Sequence, residues 1–362
     1  MPLKKIAYFV SPHGFGHAAR AAAVMETLSE IDAGFRFEIF TTVPSWFFQD
    51  SVSVLFNYHH LVTDIGLVQK NAFQADLEDT LQALDDFFPP APSRIAEIAE
   101  RISALNCVLI ICEIAPLGIL VAKEARIPSI LVENFTWDWL YQQYTISDNR
   151  IKRHIDYLQP IFNAVDYHIQ TEPVCCRTPA DLITAPVSRK AKTAGAEIRK
   201  RLGLPACGKM VLITTGGIPQ SYGFLETLNK FREITFVMPG AGPLMKMVDN
   251  LIILPHRSDY YHPDLINAAD AVIGKVGYST LSEIYHGGVP FGYVARSNFR
   301  ESESMTKFIQ SQMPGIALSE SEFNSGSWTA KLADLLDLAP VKRDIANGSE
   351  QISRFIEDLI PI

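Results

Sequence analysis

Four glycine-bearing loops follow short apolar runs and hold most of the side chains that could do chemistry. They are His13-Gly14-Phe15-Gly16-His17, Thr214-Thr215-Gly216-Gly217, Pro239-Gly240-Ala241-Gly242 and Gly274-Lys275-Val276-Gly277-Tyr278-Ser279-Thr280. In an open parallel sheet, loops of this kind present backbone N–H groups and helix N-termini beyond the carboxyl ends of the strands, a setting that suits anionic ligands. One such loop says little, because tight turns need Gly in any case. Four of them, spread over both halves of the chain, favour a ligand held in a cleft between two domains. The last loop runs on through Leu281-Ser282-Glu283. Small hydroxyls and free N–H groups there would meet a diphosphate, and Glu283, one turn in, could accept two ribose hydroxyls. The same spacing fits a helix capped by Ser279 or Thr280, with Glu283 as a first-turn carboxylate favoured by the dipole. His17 falls in the first turn after the first strand, where the positive helix end favours a neutral imidazole able to accept a proton. A histidine that merely caps the helix fits there too.

Three familiar readings fit these loops poorly. Gly14 to Ala19 matches the dinucleotide pattern G-x-G-x-x-A, which wants an acid at the end of the second strand, but that run ends in Thr41-Thr42. Gly203 to Lys209 matches most of a phosphate-binding P-loop, yet Met210 follows the lysine and the motif precedes its strand. No D-x-D pair occurs, so a metal-free site is expected and no cofactor is called for. Trp137, Asp138, Trp139 and Tyr141 follow SILVEN, where aromatics beside one carboxylate suit a sugar or an apolar acceptor, or equally a core under a helix.

The elements that must position these residues are short strands alternating with helices. Strand-type runs stand at 6–10, 35–42, 107–113, 129–134, 167–171, 210–215, 234–240, 251–255, 271–277 and 290–295, which predicts an α/β architecture with parallel sheets. The pattern lapses over 173–208, a Pro-bearing basic stretch read as a linker. That leaves an N-terminal Rossmann-like domain over 1–172 and a second over 209–340. Residues 341–362 end in an amphipathic helix with Ile352, Phe355, Ile356 and Leu359 on one side.

Composition narrows the class. The 362 residues are 48% hydrophobic and 20% charged, the profile of a folded chain with a large core. Lys plus Arg number 32 against 40 for Asp plus Glu, a formal charge of -8, so nucleic acid is not an expected partner. The lysines and arginines Arg189, Lys190, Lys192, Arg199, Lys200 and Arg201 read as solvated surface. No apolar stretch is long enough to span a membrane, although peripheral contact remains compatible, and the N-terminal run reads as a first strand and not as a signal peptide. Five cysteines without a C-x-x-C pair suggest a reducing, cytoplasmic setting.

The segment AADAVIGKVGYSTLSEIYHGGVPFGYVARSNFRESE resembles the donor-binding segment of the two-domain nucleotide-sugar glycosyltransferases of the GT-B fold. GFGHAAR, ENFTWDWLYQQY, PHRSDYYHPDLINAADAVIGKVGYSTLSE, VARSNFRESE and NSGSW resemble, in the same order, the glycosyltransferase-like N-terminal region of plant L-arabinokinases. This resemblance implies two doubly wound parallel-sheet domains facing a cleft, the first on the acceptor side and the second binding a nucleotide sugar. The last helix would return to the first domain. The family's sugar-kinase segment has no counterpart here, so kinase activity is not expected to carry over.

By the same resemblance His17 is the acceptor-side base, with Arg20 standing where the family has Pro. Glu113 takes the place of the acid that orients the histidine, and Gly14, Gly16, Arg20, Trp137 and Asp138 are the candidates on the acceptor side. Gly277, Ser279 and Thr280 would face the diphosphate and Glu283 the ribose, while Gly216 and Gly217 open the second domain. The family's D-Q pair is absent, leaving Arg300 and Glu301 as candidate sugar contacts, and His256 as a candidate contact to the base. The implied function is a metal-independent, inverting glycosyltransferase with a UDP-sugar donor and a hydroxyl acceptor. Two alternatives stay open: a non-catalytic nucleotide-sugar sensor, and a nucleotide-sugar 2-epimerase.

Overall fold

Buried, branched and aromatic runs become the inner strands of two sheets, each in its own unit. The computed structural model describes residues 3–71, 74–205, 207–214, 223–296 and 299–360. One unit comprises Met1–Lys70, Ala75–Ser188 and Ala346–Ile362, the other Asn71–Gln74 and Arg189–Ile345. The first holds β1 Lys4–Val10, β2 Phe35–Thr41, β3 Phe56–His60, β4 Cys107–Glu113, β5 Ser129–Glu133, β6 Tyr167–Thr171 and β7 Leu182–Thr184. All pair in parallel, in the order β3-β2-β1-β4-β5-β6-β7. Ile6 to Val10 are fully buried, as a strand covered on both faces must be.

The second unit holds β8 Lys209–Thr214, β9 Ile234–Gly242, β10 Lys246–Val248, β11 Leu251–Pro255, β12 Ala271–Lys275, β13 Phe291–Val294 and β14 Gly315–Leu318. Their order is β10-β11-β9-β8-β12-β13-β14, parallel throughout except for the antiparallel pair of β10 and β11. In both units the strand order reverses beside the first strand, between β1 and β4 and between β8 and β12. Such a reversal is where an open α/β sheet leaves its ligand crevice.

Four strands escaped the sequence reading, namely β3, β7, β10 and β14. All four are sheet edges, and β10 is exposed along its whole length, so none carries the continuous apolar run that marks an inner strand. The stretch 173–208 contains β7, which joins the first sheet, and the helix Gly195–Arg201, which belongs to the second unit.

The final helix, Gly348–Leu359, packs in the first unit against the helix Gly16–Ile31, burying Ile352 and Ile356. Thr27 donates to Ser349 across the contact (3.0 Å), and Asn347 caps the helix while donating to the Ser188 carbonyl (2.9 Å). The late NSGSW motif proves structural. Gly326 has φ +80, and Trp328 is buried among Phe224 and Phe236. Gly274 likewise serves spacing, since a Cβ there would fall 2.0 Å from the Thr214 carbonyl oxygen on β8. Gly274→Ala must therefore push β8 and β12 apart, and we expect it to destabilise the fold by about 1–3 kcal/mol. Urea denaturation reads this directly, and an unchanged midpoint would refute the close approach.

Candidate functional site

The loop leaving β1 turns at Gly14, φ +69, and a Cβ on Gly14 or Gly16 would meet no atom within 4 Å. Beyond it the helix Gly16–Ile31 carries His17 in its first turn, and Arg20 follows about one turn on. His17 is buried and held neutral. Burial first, then the charge of Arg20, lowers its pKa to about 3. The expected neutrality is present, but its causes are desolvation and a neighbouring cation instead of the helix end.

Glu113, the last residue of β4, lies beside this histidine. Its Oε1 is 3.8 Å from His17 Nδ1, too long for a hydrogen bond. That oxygen accepts from Arg20 Nε, while Arg20 Nη1 donates to Asn134 Oδ1 (2.9 Å) and Thr171 Oγ1 (3.0 Å). Arg20 is 1% exposed, so it is no open acceptor contact. It ties the helix to the carboxyl ends of β4, β5 and β6. Burial pushes Glu113 up to about 7, against the pull of Arg20.

A second network here was not legible in the sequence. Asp64 accepts from Ser11 Oγ (2.9 Å), from the Ile65 N–H (2.7 Å) and from Trp137 Nε1. Burial raises its pKa to about 7. Trp137 is wholly buried and meets the His13 and His17 rings edge-on, with centroids 5.2 and 6.2 Å away. Tyr141 stacks on it and donates to the Gly66 carbonyl (2.7 Å). Trp137 thus forms a wall beside His17, not an exposed stacking surface. Asp138, beside Trp137 in the short helix Trp137–Tyr141, is buried, which raises its pKa.

In the second unit Gly277 caps the helix Tyr278–Gly287, and a Cβ there would meet nothing within 4 Å. Ser279 is half-buried and Thr280 buried. Glu283 is buried with both oxygens engaged: Arg189 Nε donates to Oε1 (2.9 Å) and His262 Nδ1 to Oε2 (2.8 Å). Burial opposes its ionisation, yet Arg189 and His262 outweigh that and hold the carboxyl below its usual range. Arg189, read from sequence as solvated, has a side chain only 8% exposed and also lies over the Tyr261 ring. Burial against Glu283 replaces the surface role expected of it.

Among the remaining expected contacts, His256 is exposed on the loop after β11. Arg300 precedes the helix Glu301–Gln312, and buried Glu301 lies 3.6 Å from Arg296. Gly216 and Gly217 lie outside the described residues. Among the described residues no group of three or more His, Cys, Asp or Glu is placed to hold a metal ion.

No family model matches the chain. It is 29% identical over 361 residues to the L-arabinokinase of Arabidopsis thaliana, a match spanning 97% of this chain and 34% of that protein. The chain thus spans about a third of the length of the curated relative it matches. The glycotransferase of kitacinnamycin superposes with a TM-score of 0.67 at 14% identity, over 99% of this chain and 100% of that one. UGT71G1 of Medicago truncatula, solved with UDP-glucose, gives 0.61 at 13% over 99% of each. The chain carries the GT-B fold. A Listeria monocytogenes protein assigned as a UDP-N-acetylglucosamine 2-epimerase superposes on this GT-B chain with a TM-score of 0.57 at 13%, over 99% and 96%. The fold is therefore shared by more than one chemistry, and the site must decide.

Two outcomes follow for this GT-B chain. Arg20→Met strands a buried carboxyl and should cost about 3–5 kcal/mol, much of it recovered by adding Glu113→Gln. A double-mutant cycle by denaturant unfolding checks this. For Asp64, a folded pKa of about 7 against 3.8 when unfolded means that the folded chain binds the extra proton. Its contribution is full below the lower value and is lost as pH rises through the higher one. The difference in melting temperature between wild type and Asp64→Asn should therefore slope across that window, and a flat difference would refute the shift.

Proposed function

We propose that this chain transfers a glycosyl group from a UDP-sugar to a hydroxyl acceptor, without a metal and with inversion. The carrying observation is His17, neutral and buried at the exit of β1 with a carboxylate 3.8 Å from its Nδ1. The acceptor oxygen attacks the anomeric carbon and its proton passes to the imidazole, while the bond from that carbon to the diphosphate oxygen breaks. One in-line displacement inverts the carbon. In the second unit, the N–H groups that open the helix Tyr278–Gly287 suit the charge of a departing diphosphate. A histidine held near 3 is a weak base, so proton transfer would come late, after the sugar carbon has taken on oxocarbenium character. Glu113 would stabilise the imidazolium and Arg20 oppose it. The lack of a D-x-D pair supports the metal-free reading.

One observation favours a second reading, a sensor that binds a nucleotide sugar without turning it over: Arg20 already occupies the Glu113 oxygen nearest His17. We place the activity in the cytoplasm. None of the five cysteines is in a disulfide, and among the described residues no helix is long and apolar enough to cross a membrane.

The test is UDP release from a panel of UDP-sugars, with and without sugar and phenolic acceptors, alongside calorimetric UDP binding. His17→Ala should lower turnover about 10²- to 10⁴-fold and leave UDP affinity unchanged. Binding without turnover in the wild type would favour the sensor. An altered sugar still joined to UDP in the absence of acceptor would point to the epimerase. Failure to bind any uridine nucleotide would overturn all three.

A further inference from the structure

At the carboxyl ends of β12 and β13 the second unit buries a positive charge that it does not balance. Lys275, the last residue of β12, is 9% exposed. Among the described residues no hydrogen bond or ion pair reaches its ammonium. The charges that act on it from farther away are those of Arg296, just beyond β13, and Glu301, at the start of the next helix. Those two face each other, Nη2 to Oε2 at 3.6 Å, with side chains 8% and 7% exposed. Among the described residues one buried carboxylate, Glu301, thus faces two buried cations, Lys275 and Arg296, and no carboxylate is in ion-pair contact with the Lys275 ammonium.

A desolvated ammonium in that state is unfavourable unless something anionic completes it. Burial, reinforced by Arg296, lowers the Lys275 pKa to about 7, as expected of an ammonium lacking its anion. The contrast within the unit is plain. Glu283, equally buried, has an arginine and a histidine on its two oxygens.

The place matters as much as the charge. β12 lies beside β8 where the strand order of this sheet reverses, the position at which such sheets leave room for a ligand. Two residues beyond Lys275, Gly277 opens the helix Tyr278–Gly287 with empty space where a Cβ would stand. In the first turn of the helix Glu301–Gln312, the hydroxyl of Ser302 is buried, and among the described residues it has no partner.

We propose that Lys275 anchors an anionic group of the ligand, a phosphate or a carboxylate, whose charge completes the balance that the protein leaves open. This deepens the nucleotide-sugar reading, on which it rests for the identity of the ligand. The anion is either the donor's diphosphate or a carboxylate on an acidic donor sugar.

The experiment compares wild type, Lys275→Met and Lys275→Arg by calorimetric titration with inorganic pyrophosphate, uridine, UDP, UDP-glucose and UDP-glucuronate, and by melting without ligand. We expect Lys275→Met to weaken pyrophosphate and UDP by at least about tenfold, and Lys275→Arg to stay within about threefold. Ligand-free Lys275→Met should melt no lower than wild type, because it removes an unpaired buried charge; a lysine kept for structure would do the reverse. Unchanged UDP affinity with a lost preference for UDP-glucuronate over UDP-glucose assigns the anion to the sugar. Pyrophosphate binding that depends on Lys275, with no gain from uridine, keeps the anion subsite and sinks the nucleotide reading. The proposal is overturned if every affinity survives Lys275→Met, if that variant melts lower and loses affinity for uridine as well, or if the wild type binds none of these compounds.

Discussion

The constraint on which everything else depends is the reversal of strand order beside β1 and again beside β8. Parallel strands all end on one edge of their sheet, so every strand-to-helix loop of a unit opens on the same side. Where the order reverses, successive helices leave for opposite faces and their loops part, exposing backbone donors between them. His17 and Glu113 meet because they follow β1 and end β4, the strands that flank the first reversal. Lys275 and Gly277 stand at the second. Neither site needs a special local motif beyond a small residue that lets the chain turn.

The two reversals carry opposite electrostatics. In the first unit, around His17, Arg20 holds Glu113, Asp64 accepts from Ser11, Ile65 and Trp137, and burial keeps His17 neutral. Under the proposed reading, a buried, neutral histidine suits an uncharged hydroxyl, whose proton must go somewhere as it reacts. In the second unit a cation is left over, which suits a ligand that brings negative charge with it.

Much of this was legible in the sequence because it is local. Inner strands announce themselves as short apolar runs, the Gly-bearing exits follow them directly, and the amphipathic last helix shows its buried side in Ile352 and Ile356. What escaped depends on partners far along the chain. Arg189 looks like one more cation in a basic stretch until Glu283, 94 residues on, is folded against it. Trp137 could be a sugar platform or a core ring, and Asp64, 73 residues away, decides for the core by taking its N–H. The edge strand β10 is three residues long and exposed along its length, so no buried apolar run marks it in the sequence.

The last helix has a consequence for the order in which the molecule can be made. Residues 346–362 close the first unit, with Ser349 bonded to Thr27 and Ile352 and Ile356 against the helix that carries His17. A ribosome delivers the first sheet early, then the whole second unit, and only then the helix that the first unit lacks. Throughout that interval the apolar flank of the helix Gly16–Ile31 must stay uncovered or be shielded by something else. The half of the molecule that begins first is completed only after the second unit, and its histidine is fully supported only once the helix Gly348–Leu359 has been made.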